Sequence, residues 1–159
     1  MVVLLPILDD LLNLIFPQGL ECPFCGGPCE AGDICNLCGE VFEGYRQESR
    51  CARCGRFAGK GALISNNTSA HYCYECRRHD WPFDLVRAAG PYEGVLKEAI
   101  HRFKYNGRRS LAAYLAKLMA GALRAEPLFT GVDLIIPVPV SGDRLRQRGF
   151  NQAALLAKE

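Results

Sequence analysis

Along residues 5–16, LPILDDLLNLIF, apolar side chains recur at positions 7, 8, 11, 12, 15 and 16, the spacing of one helical face, and Pro17 with Gly19 closes the run. The pattern predicts a short amphipathic helix. Its polar face is acidic through Asp9 and Asp10, which suits packing on the protein itself better than on a membrane. From Glu21 to His79 no periodicity is sustained and Gly, Cys, Asn and Ser dominate, so something other than apolar burial must hold that stretch. Beyond Trp81 and Pro82 the pattern returns. Leu85 to Tyr92 reads as a strand, and Val95, Leu96, Ala99, Ile100 and Phe103 lie at helical spacing. A second helix is expected from Ser110, as N-cap, through Leu111, Ala112, Leu115, Leu118, Met119, Ala122 and Leu123. Asp133 to Val140 is a continuous apolar run of the kind buried on both faces of a parallel sheet, with Pro137 and Pro139 limiting its pairing to Ile136. A last helix is expected to start at Asn151.

Strands alternating with helices indicate an α/β fold, and the expected division is a helix in 1–20, a cysteine-rich unit in 21–80 and an α/β unit in 81–159. The α/β unit reads as incomplete. Its central strand would have an unpaired edge, which predicts low stability or association through that edge, for instance in a homodimer.

Nine cysteines among 159 residues all fall between Cys22 and Cys76. Eight form four CxxC pairs: Cys22 with Cys25, Cys35 with Cys38, Cys51 with Cys54, and Cys73 with Cys76. Two thiolates two residues apart can turn toward one metal, and two such pairs complete the four-sulfur tetrahedron that Zn²⁺ prefers. Gly26, Gly39 and Gly55 follow the first three pairs, where a tight turn often needs a positive φ. Paired in order, the cysteines make two zinc ribbons in tandem, although spacing alone also permits a crossed arrangement. Redox CxxC motifs and iron–sulfur ligation fit the spacing less well. Cys29 reads as a spare thiol, and His71 and His79 as surface histidines.

The first sixteen residues do not read as a secretory signal, since no Lys or Arg precedes the apolar run and two acids interrupt it. The run is also too short for membrane insertion. The cytoplasm is the expected compartment, where clustered cysteines are more often metal ligands than disulfides.

Net charge is only +2, but it is unevenly spread. Residues 1–45 hold seven acids and no Lys or Arg, residues 46–79 seven bases against two acids, and residues 80–159 twelve bases against eight acids. Such polarity points the second cysteine-rich block and the C-terminal part toward an anion. Around the ribbons, Arg46, Arg50, Arg53, Arg56 and Lys60, with Tyr45, Phe57 and Tyr72 for stacking, are the candidate contacts to nucleic acid, with Arg50, Arg53 and Arg56 at their centre. Farther on, Arg102 to Arg109 follows a helix, and Pro137 to Gln152 joins the buried strand to the last helix. A loop feeding a helix N-terminus offers free N–H groups to phosphate, and Arg144, Arg146 and Arg148 add charge.

The chain resembles the ComF family, competence-associated proteins with a double zinc ribbon and a type I phosphoribosyltransferase-like, Rossmann-like parallel-sheet domain. The resemblance rests on LLNLIFP before the first CxxC, the four CxxC pairs, Phe103-Lys104-Tyr105 with Gly107, the Asp133–Pro139 strand, and above all Arg148-Gly-Phe-Asn-Gln152. It implies phosphoribosyl pyrophosphate as the ligand of a complete relative, with Mg²⁺, and Arg144, Arg148, Gly149 and Asn151 as phosphate contacts. Lys104 is a weaker candidate. It also implies a role in DNA uptake during natural competence, alongside the competence machinery. No DDxxTTG-like run, which cradles the ribose and 5′-phosphate in relatives, occurs in the sequence. Transfer chemistry by these residues alone is therefore not expected, and the chain reads as C-terminally truncated, with a zinc-ribbon DNA-binding module as the alternative function.

Overall fold

The computed structural model describes residues 21–29, 34–57, 63–65 and 71–159. The helix expected over 5–16 and the candidate Lys60 lie outside them. Among the described residues the elements run α1 (Asn36–Gln47), β1 (Leu63–Ser65), β2 (His71–Cys73), α2 (Tyr74–Arg78), α3 (Gly94–Tyr105), α4 (Leu111–Arg124), a 3₁₀ turn (Pro127–Phe129), α5 (Gly142–Arg148) and α6 (Gln152–Lys158). β1 and β2 form an antiparallel pair, with Leu63 opposite Cys73 and Ser65 opposite His71.

The periodicity places three helices well. α3 buries Leu96, Ala99 and Phe103, and α4 buries Leu111, Ala112 and Leu115. α6 starts where expected, because the Asn151 Oδ1 accepts from the N–H groups of Ala153 (3.0 Å) and Ala154 (3.2 Å). Ser110 does not cap α4 with its side chain. Its own backbone is already helical, and the helix grows from a turn in which Leu111 and Ala112 donate to the carbonyls of Arg108 and Arg109. Three helices escape the pattern: α1, α2 and α5. α5 overlies what reads in the sequence as loop.

Both strands expected in the C-terminal half are corrected. Leu85–Tyr92 is irregular, because its backbone serves the second cysteine unit: the Val86 N–H donates to the Arg53 carbonyl at 2.8 Å. Asp133–Val140 carries no ladder, since no strand lies beside it among the described residues. Its apolar side chains therefore stay out, with Ile136 77% exposed. The segment borders an open groove of about 680 Å³, walled by Ala116, Ala120 and Leu123 of α4 and Leu156 of α6. The parallel sheet is thus not formed by these residues, which are mostly helical.

One core joins the first cysteine unit to the C-terminal helices. Cys22, Phe24, Cys38 and Phe42 are buried together with Leu96, Ala99, Phe103, Leu111, Ala112 and Leu115. The Phe24 ring stands edge-on to Phe42 at 4.5 Å and to Tyr114 of α4 at 6.2 Å. Arg102 of α3 donates to the Phe24 carbonyl. A buried aromatic of this size contributes roughly 1.5–3 kcal/mol, so Phe24 and Phe103 are principal supports of this junction.

Candidate metal centres and anion sites

Each metal centre is built from one tight knuckle and one helix start. In the first, Cys22 N–H donates to the Gly27 carbonyl (2.6 Å) and Gly26 N–H to the Cys22 carbonyl (2.8 Å). In the second, Cys51 N–H donates to the Arg56 carbonyl (2.9 Å) and Gly55 N–H to the Cys51 carbonyl (3.0 Å). The knuckles close through Gly26 (φ 77°) and Gly55 (φ 66°), a conformation costly for any side chain with a Cβ. A Cβ on Gly55 would in addition meet the Val86 carbonyl oxygen at 2.6 Å. Gly39 has no such duty, since it lies inside α1. The other half of each centre is a helix: Cys35 is the N-cap of α1 and Cys38 lies in its first turn, as Cys73 and Cys76 do for α2. Free N–H groups and the dipole at a helix start favour thiolate over thiol.

Cys22, Cys25, Cys35 and Cys38 form one set whose sulfurs all lie within 4.8 Å of one another, and Cys51, Cys54, Cys73 and Cys76 form the other. The pairing is sequential, which settles the arrangement that spacing leaves open. A tetrahedron with Zn–S bonds of ~2.3 Å has edges of about 3.8 Å. The Cys25–Cys35 and Cys54–Cys73 sulfurs are 3.5 and 3.7 Å apart, so the cages fit the ion. Cys29, His71 and His79 belong to neither set.

Electrostatics inside each cage separates the thiols. Burial pushes the Cys22 thiol up, but the N–H groups of Cys35, Cys25 and Phe24 outweigh it and bring it down to about 6. Cys51 follows the same logic: burial opposes, the N–H groups of Cys54, Cys73 and Arg53 prevail, and the thiol falls to about 6. Burial pushes Cys76 up to about 12 and Cys38 upward likewise. Each cage thus holds a ready thiolate beside a thiol that ionises when the metal arrives. Bound there, zinc supplies a cross-link between knuckle and helix.

The three candidate arginines of the second unit differ. Arg50 and Arg56 stand on the two arms of the 51–54 knuckle, where Arg50 bridges Phe57, and Arg56 is exposed. Arg53 turns inward, donating to Asp80 (3.1 Å) and to the carbonyls of Trp81 (2.6 Å) and Phe83 (3.3 Å). Tyr45 meets Phe42 in a tilted contact and Phe57 in a T-shaped one, and Tyr72 packs on the buried cysteines. Beside Arg53 runs a row of rings, exposed His79 and Trp81 and half-buried Phe83, that the sequence shows only as a boundary.

The four candidate phosphate contacts gather at the corner between α5 and α6. Arg148 ends α5, Gly149 turns the chain with φ 75°, and Asn151 caps α6. Phe150 packs on Phe103 at 5.5 Å under the Arg109 guanidinium, which also donates to the Gly149 carbonyl at 3.0 Å. Arg148 lies over the Tyr105 ring and donates to the Gln152 Oε1 at 3.1 Å. Arg144 is exposed one turn upstream. Arg109 and Tyr105, both within the 102–109 stretch that the sequence singles out, join the corner from some 40 residues away.

No helix among the described residues is long and apolar enough to cross a membrane. Residues 11–77 match the double zinc ribbon domain. DNA utilization protein YhgH of Salmonella typhi is 29% identical over 79% of this chain and 52% of its own length. Competence protein F of Haemophilus influenzae is 32% identical over 57% of this chain and 41% of its own, and competence protein ComFC of Bacillus subtilis 26% identical over 88% and 45%. The chain spans about half the length of the curated relatives it matches. No solved structure matches significantly. Both four-cysteine zinc sites fall within the segment matched by the double zinc ribbon domain, and through these relatives the chain is similar to the ComF family.

Proposed function

We propose that the chain handles single-stranded DNA during natural competence, in the cytoplasm and alongside the uptake machinery, with the second zinc module as its contact surface. The observation that carries this reading is the knuckle of that module: Arg50 and Arg56 flank it within a stretch, 46–79, that holds seven bases against two acids. The printed names of the relatives, DNA utilization and competence, agree with it. Arg53 serves by holding the module to the 80–83 segment. Fluorescence anisotropy of a labelled oligonucleotide, repeated across salt concentrations, tests the reading. The Arg50→Ala, Arg56→Ala double variant is expected to bind more weakly and to flatten the log–log salt dependence by about 1.4, two phosphates at ~0.7 each. An unchanged slope would contradict it.

A second reading has its own observation. The Arg148 Nε and the Gln152 Nε2 are buried without a hydrogen-bond partner, although Gln152 is only 7% exposed. Unpaired donors of this kind beside Arg109 and Arg144 favour a phosphate-bearing ligand at the α5–α6 corner, phosphoribosyl pyrophosphate with Mg²⁺ in a complete relative. In that reading the exposed apolar run Leu134–Val138 takes a neighbouring strand of the family's parallel sheet, or the same run of a second copy in a homodimer. Calorimetric titration with pyrophosphate is expected to give a heat of binding that Arg148→Ala abolishes; no heat from the unaltered chain would remove the reading.

A further inference from the structure

Three residues past the last cysteine, the chain lays three rings side by side. His79 and Trp81 have centroids 5.7 Å apart with planes tilted by 55°, and Trp81 and Phe83 6.1 Å apart with planes 18° from parallel. The row is outside both buried cores, and Trp81 is 40% exposed. It is nonetheless fixed. Arg53, between Cys51 and Cys54, holds the Trp81 and Phe83 carbonyls and the Asp80 carboxylate, and its guanidinium rests 5.7 Å from the Phe83 ring. The second zinc centre thereby anchors a set of aromatic faces that the core does not use.

Just upstream, α2 displays exposed Arg77 and Arg78, with Arg78 lying 5.2 Å over the exposed Tyr74 ring. Flat apolar faces flanked by guanidinium groups match a ligand whose own flat faces alternate with negative charge. Among polymers that is nucleic acid, and only an unpaired strand can present its base faces. We infer that the His79–Trp81–Phe83 row is a base-stacking platform for single-stranded nucleic acid, with Arg77 and Arg78 meeting its phosphates. This rests on the DNA-handling reading and adds the residues that grip the bases. Salt-sensitive contacts at Arg50 and Arg56 set the strength of attraction; the platform confers the preference for unpaired strand.

Trp81 is the only tryptophan in the chain, so its intrinsic fluorescence reports on the platform alone. The zinc-loaded full chain is titrated with a short oligothymidylate, with an abasic oligonucleotide of equal length and with a paired duplex. Saturable quenching is expected with oligothymidylate only. Trp81→Ala is expected to weaken oligothymidylate binding between about fivefold and a hundredfold, the range for loss of one stacked base. Trp81→Phe is expected to keep most of the affinity, and both variants to keep two zinc ions, since Arg53 grips the backbone at 81 rather than the ring. Salt-dependent binding without quenching, with Trp81→Ala at full affinity, would overturn the platform while leaving the DNA reading intact, and would point to a protein partner for the exposed rings. No binding at low salt would overturn both.

Discussion

Cys38→Ala is expected to remove one of two zinc ions and, with it, the core shared by α1, α3 and α4, whereas Cys76→Ala is expected to unfold little beyond the second module. The asymmetry follows from what each cage is packed against. Cys22 and Cys38 are part of the same buried cluster as Phe24, Phe42, Leu96 and Phe103. Cys51, Cys73 and Cys76 are buried only with one another, aided by Cys54 and Tyr72. A structural zinc contributes about 10–16 kcal/mol in small domains, comparable with or above the roughly 5–15 kcal/mol that holds a whole domain folded. Losing the first site should therefore abolish cooperative thermal unfolding monitored by helical circular dichroism. Losing the second should leave most helical signal and a cooperative transition. Equal damage from the two variants would show that the modules are not coupled to the helices as described.

Arg87→Ala is the second large effect expected. The Arg87 guanidinium donates to the Glu126 Oε2 from two nitrogens (2.8 and 2.5 Å) and to the Ala52 carbonyl at 2.9 Å, so it ties the second knuckle to the end of α4. The two side chains are 9% and 17% exposed, which leaves little water to screen them. Deleting one partner strands the Glu126 carboxylate and the Ala52 carbonyl, at a cost of about 3–5 kcal/mol for a buried pair. The Arg87→Met, Glu126→Leu double variant is expected to recover most of that, because no charge is then left buried. Urea unfolding midpoints check it: the double variant should lie above Arg87→Ala. A single variant indistinguishable from the parent would remove this tie from the account.

The zinc sites were the most legible part of the sequence, because metal chemistry fixes both residue type and spacing, and the redox and iron–sulfur readings of the cysteines fit that spacing less well. α3, α4 and α6 were legible because each repeats an apolar face. α1 was not: its buried face is carried by Cys38 and Phe42, one of them a metal ligand, and Gly39 and Gly44 interrupt it. α2 has five residues, too few to show a period, and α5 buries nothing, so it has no apolar face to betray it. The run Asp133–Val140 is apolar but neither paired nor buried, because pairing is a property of two strands and no single segment encodes its neighbour. Arg53 shows the same limit among site residues. Its charge suggested a ligand contact, while the Asp80 carboxylate and two carbonyls that take up its donors lie some 30 residues away. In Arg148-Gly-Phe-Asn-Gln152 the sequence pointed to phosphate, and the structure adds that Gly149, Phe150 and Asn151 also build the corner itself.

Native mass spectrometry of the purified chain, alongside Cys38→Ala and Cys76→Ala, tests the two-cage architecture most directly. Two zinc ions on the parent and one on each variant are expected. A single shared zinc, or disulfide-linked cysteines without metal, would contradict it.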